Sequence, residues 1–519
     1  MVGEENYRKL ASPVLQGIVY RNNAGIQDHY TIQEMFSDIG EGKDEDDCWK
    51  RFLDQLSIFE MLHVNDGCGF QFPALEQYGV YWSWGNDGAA QVGPLRISMG
   101  RKNPARVPDY KVTGFPSGTC LCATWNPEVA YEMGFAQGYE AYFLGHSALY
   151  APGLNLHRTQ SGGRNFEYMS EDTYLGGTII GQLCHGMQNP GGLCAGVKHF
   201  MLNDQEVNRR SVHTYLTEQA LRETYGESWE ICFKEGGAMG IMGAFNSIGY
   251  NWVGNSFALN TALLRDEWGY KGYIVSDIGA IRNPLGGYFS WVSCIISGED
   301  SLEETINWNR EYVKDAIAYY EKGGEYANIL LNAARANTRH IFSAWGISNG
   351  YIEDVEAAIA RKNAGGYDFD PATPDEHGYT DIGWYGLVTI GEGKVSDGKT
   401  VFPVRINGCN GLSAATFRVK SAVPLEDIAD ENGKELPYTR SFDAESNLNV
   451  YTVSFKDAEA AIADRDLFRL VVNGDKTSGA EDLKLSLEYS DATDRIGHPT
   501  KLYIGERPVP PPADSRRPF

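Results

Sequence analysis

The stretch GYIVSD, residues 272–277, indicates how this chain folds. Residues 273–276 form a short apolar run typical of a buried strand, and Asp277 stands at its carboxyl end, just after the segment LRDEWGYKG at 264–272. Parallel α/β barrels place their chemistry at the carboxyl ends of the strands. The position therefore predicts that Asp277 is a catalytic carboxylate, and more specifically a nucleophile.

Comparable runs occur at residues 148–151, 195–200 and 240–245, and polar residues lie at or near their ends. Helix-like segments alternate with them from about residue 55 to 345. One such helix is predicted to begin at Asn126-Pro127, because five later residues recur at helical spacing: Val129, Met133, Ala136, Glu140 and Phe143. This order predicts parallel strands with right-handed crossovers, in either a closed barrel or an open doubly wound sheet.

The pattern changes after a helical stretch at 326–342. Residues 346–381 are rich in Gly, Asp and Pro and indicate a linker. In residues 382–505 apolar residues recur at every second position, which predicts the strands of a β-sandwich. Residues 506–519 form a Pro-rich tail. With a lead-in over 1–52 and a barrel over 53–345, the predicted fold class is an α/β barrel followed by an all-β sandwich.

Composition excludes several classes of function. The 519 residues include 42% hydrophobic and 22% charged residues, as expected for a folded protein, and the net charge of −24 opposes binding to nucleic acid or to anionic lipid. No stretch approaches the ~20 apolar residues that span a membrane, and residues 1–6 do not resemble a secretion signal. The choice between an extracellular and a cytoplasmic location stays open.

The nine cysteines are scattered and odd in number, so they do not indicate a disulfide framework. Cys120 and Cys122 are separated by one residue and lack a matching second pair, which argues against zinc. We predict neither a metal nor a cofactor.

The segments around the strand ends supply several cations and two carboxylates. Such a set is able to hold a polyhydroxylated ligand, since charged groups form strong directional hydrogen bonds with hydroxyls. The alternative is a group of structural ion pairs, and residue type alone does not decide between the two. The residues are Asp87, Arg96, Arg164, Lys198, His199, Arg209 and Asp277.

Order and spacing favour the first interpretation. The motif LNLHRTQSGGRNFEYMSED at 154–172 resembles the Arg-bearing signature of glycoside hydrolase family 3. KHFMLNDQEVNR at 198–209 resembles the Lys-His motif of that family with its downstream Arg, and GYIVSD at 272–277 resembles its nucleophile strand. The three motifs occur in the order expected for the family.

The resemblance implies a (β/α)8-type barrel and a retaining, exo-acting glycosidase, with Asp277 as the residue that attacks the anomeric carbon. Asp87 matches the carboxylate that holds the distal hydroxyls of the terminal sugar, and Asp rather than Glu at this position favours a hexose such as glucose over xylose. The match of Arg96 requires three extra residues within 87–96. The remaining substrate-binding matches are Arg164, Lys198, His199 and Arg209, and Phe245 occupies a further substrate-binding position.

Three positions depart from the family pattern. Phe245 stands where Tyr is usual, Ile278 where Trp is common, and Ala89 where Pro is familiar. Loss of a hydroxyl near the nucleophile affects its pKa and orientation, and loss of an aromatic face removes stacking area for the sugar. These departures favour an altered specificity or a degenerate site.

The sequence also leaves the general acid of such a glycosidase unidentified. In many family members a Glu of a second α/β domain supplies it, and this sequence contains no such domain. DQLSIFEML at 54–62 resembles the start of the barrel in members with permuted domain order, so we expect the acid to lie upstream in a longer protein or on a second chain.

Two hypotheses for function remain. The first is a retaining β-glycosidase, most simply a β-glucosidase, acting on a β-glucoside or an oligosaccharide. The alternative is a non-catalytic carbohydrate-binding or scaffold protein. The segment 411–419 has a short likeness to cohesin-like or carbohydrate-binding modules, for which a plain structural sandwich is the alternative.

Overall fold

The structure is a computed structural model that describes most of the barrel and sandwich segments. The described residues are 30–67, 71–73, 75, 78–80, 83–92, 112–143, 146–188, 193–278, 290–303, 310–348, 387–407, 412–430, 432–461, 465–474, 480–493 and 502–505.

The first unit is built around one curved sheet. Its strands are β1 (Gln71–Phe72), β2 (Ser83–Asp87), β3 (His146–Tyr150), β4 (Cys194–Phe200), β6 (Gly240–Gly243) and β9 (Tyr273–Val275). Strands β2, β3, β4, β6 and β9 are parallel neighbours in chain order, and β1 is antiparallel to β2. A parallel bridge from Val275 to Ser301 continues the sequence.

This strand order decides between the two predicted architectures. In a doubly wound sheet the strand order reverses at a switch point, whereas in a barrel each strand pairs with the next along the chain. The described strands never reverse, so the unit is a (β/α)8-type barrel, as predicted.

Helices surround the sheet and connect its strands. They are α1 (Ile32–Gly40), α2 (Glu45–Leu53), α3 (Ile58–Gly67), α4 (Gly118–Cys122), α5 (Pro127–Phe143), α6 (Thr173–Gln188), α7 (Glu218–Ala220), α8 (Glu227–Lys234), α9 (Trp291–Ser297), α10 (Arg310–Tyr320) and α11 (Gly324–Gly346). Two π-helical segments, Leu221–Gly226 and Ala258–Glu267, interrupt this series.

A small three-stranded sheet lies beyond the carboxyl ends of β4 and β6. It consists of β5 (His213–Thr214), β7 (Ser247–Ile248) and β8 (Asn251–Trp252), where β5 and β7 are parallel and β7 and β8 form a hairpin. The carboxyl ends of barrel strands define the catalytic face in this architecture. The small sheet therefore stands at that face.

Helix α5 begins as predicted but buries a different face. The Asn126 side chain accepts hydrogen bonds from the backbone N–H groups of Glu128 and Val129, at 3.0 and 3.4 Å. Val129 is 41% exposed, whereas Gly134 and Gly138 are buried because α6 passes very close. A Cβ at Gly134 would lie 2.1 Å from the Leu183 carbonyl oxygen. Close helix contact selects small residues for the interface, which an apolar periodicity does not reveal.

The helices α1 and α2 share the barrel core. Phe36, Trp49 and Phe52 belong to the same buried cluster as the strand residues. Phe52 stacks edge-on against Phe342 of α11, with ring centroids 6.0 Å apart. The predicted division between a lead-in and a barrel at residue 53 stays a prediction.

The second unit consists of antiparallel sheets. One contains β14 (Leu425–Ala429), β17 (Arg465–Asn473), β12 (Lys399–Asn407), β10 (Leu387–Ile390), β19 (Tyr503–Ile504) and β11 (Lys394–Ser396), with β19 parallel to β10; the other contains β15 (Tyr438–Asp443), β16 (Leu448–Ala461), β13 (Leu412–Ser421) and β18 (Ser486–Thr493). Phe417 and Phe468 meet between the sheets with ring centroids 5.4 Å apart. This packing is the predicted β-sandwich.

Several predictions fall outside the described residues. They concern Arg96, the linker from residue 349 onward, and the Pro-rich tail at 506–519. Within the part that is described, seven cysteines are free, and no helix has both the length and the apolar character needed to cross a bilayer.

Candidate active site

Asp277 lies two residues beyond the end of β9 and is 5% exposed. Its Oδ1 accepts a hydrogen bond of 2.7 Å from the backbone N–H of Ile278. Its Oδ2 accepts none among the described residues, but lies 3.6 Å from Arg209 Nη1 and 3.8 Å from His199 Nε2. Burial raises the pKa of Asp277 to about 6, and the charges of Arg209 and Lys198 oppose this rise.

His199, near the end of β4, is neutral. Burial lowers its pKa well below the usual value, and the charges of Arg164, Lys198 and Arg209 lower it further. Arg164 Nη1 lies 2.9 Å from His199 Nε2, and a guanidinium only donates, so Nε2 accepts. The proton therefore sits on Nδ1, which is 2.9 Å from the Tyr168 hydroxyl. The neutral ring does not form an ion pair with Asp277.

On the other side of the site, Lys198 and Arg164 form ion pairs with two carboxylates. Lys198 Nζ donates to Asp87 Oδ1 at 2.5 Å and lies 3.3 Å from Glu167 Oε1. Burial alone lowers the pKa of Lys198, but the two carboxylates outweigh that effect and the pKa is raised. Glu167 Oε2 accepts from Arg164 Nε at 2.7 Å. Both oxygens of Glu167 are thus engaged by cations.

Asp87 is the last residue of β2. Its Oδ1 also accepts from the Gly88 backbone N–H at 2.8 Å, and Gly88 has a φ of 134°, which side chains rarely tolerate. No hydrogen bond joins Asp87 Oδ2 to any described residue, and the side chain is 32% exposed. One carboxylate oxygen is therefore anchored, and the other is available to a ligand hydroxyl.

Arg209 lies over the ring of Phe245, with its Cζ 4.7 Å from the ring centroid, and Arg210 lies over the same ring at 4.4 Å. Phe245 itself is only 2% exposed. Phe245 therefore belongs to the buried barrel core, and its ring also supports the two guanidinium groups by cation–π attraction. Contact between Phe245 and substrate stays a prediction.

The structure brings the described candidates into one connected group. A chain of contacts runs through Asp87, Lys198, Glu167, Arg164, His199, Asp277, Arg209 and Phe245. The sequence interpretation placed these side chains near one another but did not identify Glu167, which links the two halves. Arg96 lies outside the described residues.

Other supporting residues were also missed. Asn155 accepts from the His199 backbone N–H at 2.7 Å and donates to its carbonyl at 3.0 Å. Asn203 donates to the Tyr168 hydroxyl at 2.7 Å and to Glu206 at 2.9 Å. All four supporting side chains fall within the two quoted motifs, so a signal was present. Spacing alone does not separate residues that face a ligand from those that hold them.

Comparison with known proteins gives a match over this part of the chain. The family model described as the glycosyl hydrolase family 3 N terminal domain matches residues 102–286. A β-glucosidase of Bacteroides ovatus is 34% identical over 232 residues, which are 44% of this chain and 31% of that protein. The thermostable β-glucosidase B of Acetivibrio thermocellus is 37% identical over 244 residues, 46% of this chain and 31% of that protein. The chain thus spans about a third of these relatives.

Comparison with solved structures also finds β-glucosidases. The β-glucosidase 3B from Thermotoga neapolitana in complex with glucose superimposes with a TM-score of 0.50 and 28% identity, covering 58% of this chain and 42% of that one. A β-glucosidase from Paenibacillus barengoltzii shares the fold over 94% of this chain and 50% of its own, with a TM-score of 0.56 and 20% identity. By its motifs, its barrel and the match over residues 102–286, this part of the chain is similar to the N-terminal domain of glycosyl hydrolase family 3.

Proposed function

We propose that this barrel hydrolyses terminal β-D-glucosyl residues with retention of configuration, and that Asp277 is the nucleophile. The observation that carries the proposal is the environment of Asp277 Oδ2, which is buried, free of hydrogen bonds from the described residues, and close to Arg209. Held only through Oδ1, the carboxylate has one oxygen ready for attack.

In the proposed first step, Asp277 Oδ2 forms a bond to the anomeric carbon while the bond to the leaving oxygen breaks. The leaving oxygen takes up a proton. In the second step water attacks the same carbon, releases Asp277 as a carboxylate and gives up a proton. The nearby charge of Arg209 stabilises the ionised Asp277 at the start and end of this cycle.

The terminal sugar is proposed to bind between Asp87 and Arg209. Asp87 Oδ2 accepts from distal hydroxyls, and Arg164, Lys198 and His199 provide or hold donors around the ring. The β-glucosidase names of the relatives, and the glucose bound in the Thermotoga neapolitana structure, favour glucose as that sugar.

We further propose that the proton donor comes from outside this chain, on another domain or a second chain. Glu167 is a poor candidate, because its Oε2 accepts from Arg164 and its Oε1 forms an ion pair with Lys198 at 3.3 Å. Glu206 accepts from Asn203 and lies 3.4 Å from Arg209 Nε. Neither carboxylate is positioned as an unengaged acid.

A reagent with a good leaving group tests the nucleophile without the acid. We expect 2-deoxy-2-fluoro-β-D-glucosyl fluoride to form a stable ester with the protein, and peptide mapping to locate it at Asp277. The Asp277→Asn variant should remain unlabelled while keeping its unfolding midpoint. Labelling at another residue, or no labelling of the wild-type protein at saturation, would contradict the proposal, and the second result would favour a binding or scaffold role.

A further inference from the structure

Tyr168 packs against His199, and the proposed chemistry does not use it. Its hydroxyl lies 2.9 Å from His199 Nδ1, whereas Arg164 and Asp277 lie near Nε2, at 2.9 and 3.8 Å. The two rings meet edge-on, at 78° with centroids 6.0 Å apart, and the tyrosine is 2% exposed. A hydrogen bond at one ring nitrogen of a neutral histidine decides which nitrogen carries the proton. Tyr168 is therefore placed to control what the other nitrogen does.

Neighbouring residues hold the Tyr168 hydroxyl as an acceptor. Asn203 Nδ2 donates to it at 2.7 Å and also donates to Glu206 Oε1 at 2.9 Å. The ring lies against Gly153, where a Cβ would come within 2.7 Å of Tyr168 Cδ1. Burial raises the pKa of Tyr168, so the phenol stays neutral. The hydroxyl oxygen is thus fixed in position beside His199 Nδ1.

The two tautomers of neutral His199 differ in what they do to Asp277. With the proton on Nδ1, the ring donates to Tyr168 and accepts from Arg164 Nη1. With the proton on Nε2, two donors would face each other at the Arg164 contact, and the Nε2–H group would turn to Asp277 Oδ2, 3.8 Å away. That oxygen accepts no hydrogen bond from the described residues. The second tautomer would therefore engage the oxygen that is proposed to attack.

From this geometry we infer that Tyr168 is a positioning residue, which accepts the Nδ1–H of His199 and so prevents an Nε2–H group from binding Asp277 Oδ2. The inference rests on the proposed function, in which that oxygen is the nucleophile. A change at Tyr168 removes none of the charges near Asp277, so its effect on Asp277 passes through the His199 tautomer. The charged groups that face Asp277 and His199 are the same for both, namely Arg164, Lys198 and Arg209.

Tyr168→Phe removes the acceptor and keeps the ring. A buried N–H without an acceptor is unfavourable, so His199 should take the Nε2–H tautomer and donate to Asp277 Oδ2. Labelling by 2-deoxy-2-fluoro-β-D-glucosyl fluoride should then slow about tenfold at a pH where Asp277 is ionised. A hydrogen bond stabilises the ionised carboxylate, so the pKa of Asp277 should fall and the acid midpoint of the labelling rate should move to a lower pH.

Nitrogen-15 NMR reads the tautomer directly. The protein is labelled at the ring nitrogens of its ten histidines, and the His199 signals are those missing from His199→Gln. A protonated and a bare ring nitrogen have well separated chemical shifts. We expect the proton on Nδ1 in the wild-type protein and on Nε2 in Tyr168→Phe. The wild-type spectrum is a test by itself, which does not depend on the folding of the variant.

Tyr174→Phe is the matched control, since it makes the same change at a tyrosine of α6 that is 65% exposed. It should alter neither the tautomer nor the midpoint.

A His199 proton on Nε2 in the wild-type protein would overturn the inference, and so would an Nδ1 proton retained in Tyr168→Phe. Slower labelling with an unchanged midpoint would give Tyr168 a packing role only and would also overturn it. Failure of the proposed function is distinguishable, because the wild-type protein would then not be labelled while its His199 tautomer stayed readable.

Discussion

At the scale of single residues, the acidity of Asp277 links burial to activity. Its pKa is raised to about 6, so the carboxylate is protonated and loses nucleophilicity as the pH falls through that value. We expect the rate constant for labelling, divided by the half-saturating concentration, to decline on the acid side with a midpoint near pH 6. A pH-independent rate between pH 5 and 7 would contradict this assignment.

Substitution of Arg209 provides a second test of the pKa assigned to Asp277. Its charge lowers the pKa of Asp277, so Arg209→Gln should move the acid midpoint to a higher pH. Arg210→Gln is the matched control, because Arg210 packs on the same Phe245 ring but is not among the main charges acting on Asp277. Equal shifts in the two variants would mean that the ring packing, and not the charge, controls the midpoint.

Glu167 is expected to matter for stability as well as binding. Glu167→Gln removes the partner of both Lys198 and Arg164 in a buried setting, so the free energy of unfolding should fall by about 3 kcal/mol. Chemical denaturation measures this loss. Glu171→Gln, an exposed change in the same segment, should stay within about 0.5 kcal/mol of wild type, and similar values for the two variants would refute the role given to Glu167.

These residues show what a sequence reveals about a site. The positions of Asp277, Lys198 and His199 at or near the carboxyl ends of strands were predictable, because each lies in or just after an apolar run within a quoted motif. Their roles in binding and catalysis stay predictions. Glu167 was not predictable, since its importance comes from contacts with two cations that are brought together only by folding. The neutral state of His199 was equally hidden, because it follows from burial and from three neighbouring positive charges.

At the scale of elements, α6 approaches α8 closely at Gly177. A Cβ at Gly177 would lie 2.9 Å from the backbone of Ser228 and 3.0 Å from Ile231 Cβ. Gly177→Ala should therefore cost about 1–3 kcal/mol through overpacking. A Cβ at the adjacent Gly176 would have only Ser170 Cβ nearby, at 3.9 Å. Gly176→Ala should therefore stabilise the helix by about 0.5–1 kcal/mol. Thermal unfolding of the two variants should shift in opposite directions, and a shared direction would contradict the packing argument.

The same elements explain which local predictions failed. The start of α5 was predictable because Asn126 and Pro127 act within one turn. Its buried face was not, because glycines and small residues at the α6 contact replace the apolar stripe. The π-helical segment Leu221–Gly226 continues α7 into α8 without a break, and no periodicity in the sequence distinguishes it from an α-helix.

At the scale of the whole molecule, the described residues form two separate hydrophobic cores. One contains the barrel strands and helices, and the other contains only sandwich residues. The sequence predicted this division, because alternating helix-like and strand-like segments give way, after the linker, to strands with apolar residues at every second position. The curvature that closes a barrel was not predictable from period alone, since an open sheet has the same helix-then-strand order. Only the family motifs favoured the barrel before the strand order was known.

Two cores imply that the units unfold as separate cooperative transitions. Phe468 is fully buried in the sandwich, so Phe468→Ala should lower the stability of that unit by about 3–5 kcal/mol and leave the second transition in place. Differential scanning calorimetry measures both transitions in the same chain. Phe442→Ala, at a side chain that is 59% exposed in the same unit, should leave both unchanged.

Because Asp277 and the residues that hold it belong to the barrel, labelling by the fluoroglucosyl fluoride should proceed at the wild-type rate in Phe468→Ala. A joint shift of both transitions, or a slower labelling rate, would show that the sandwich stabilises the barrel and its site.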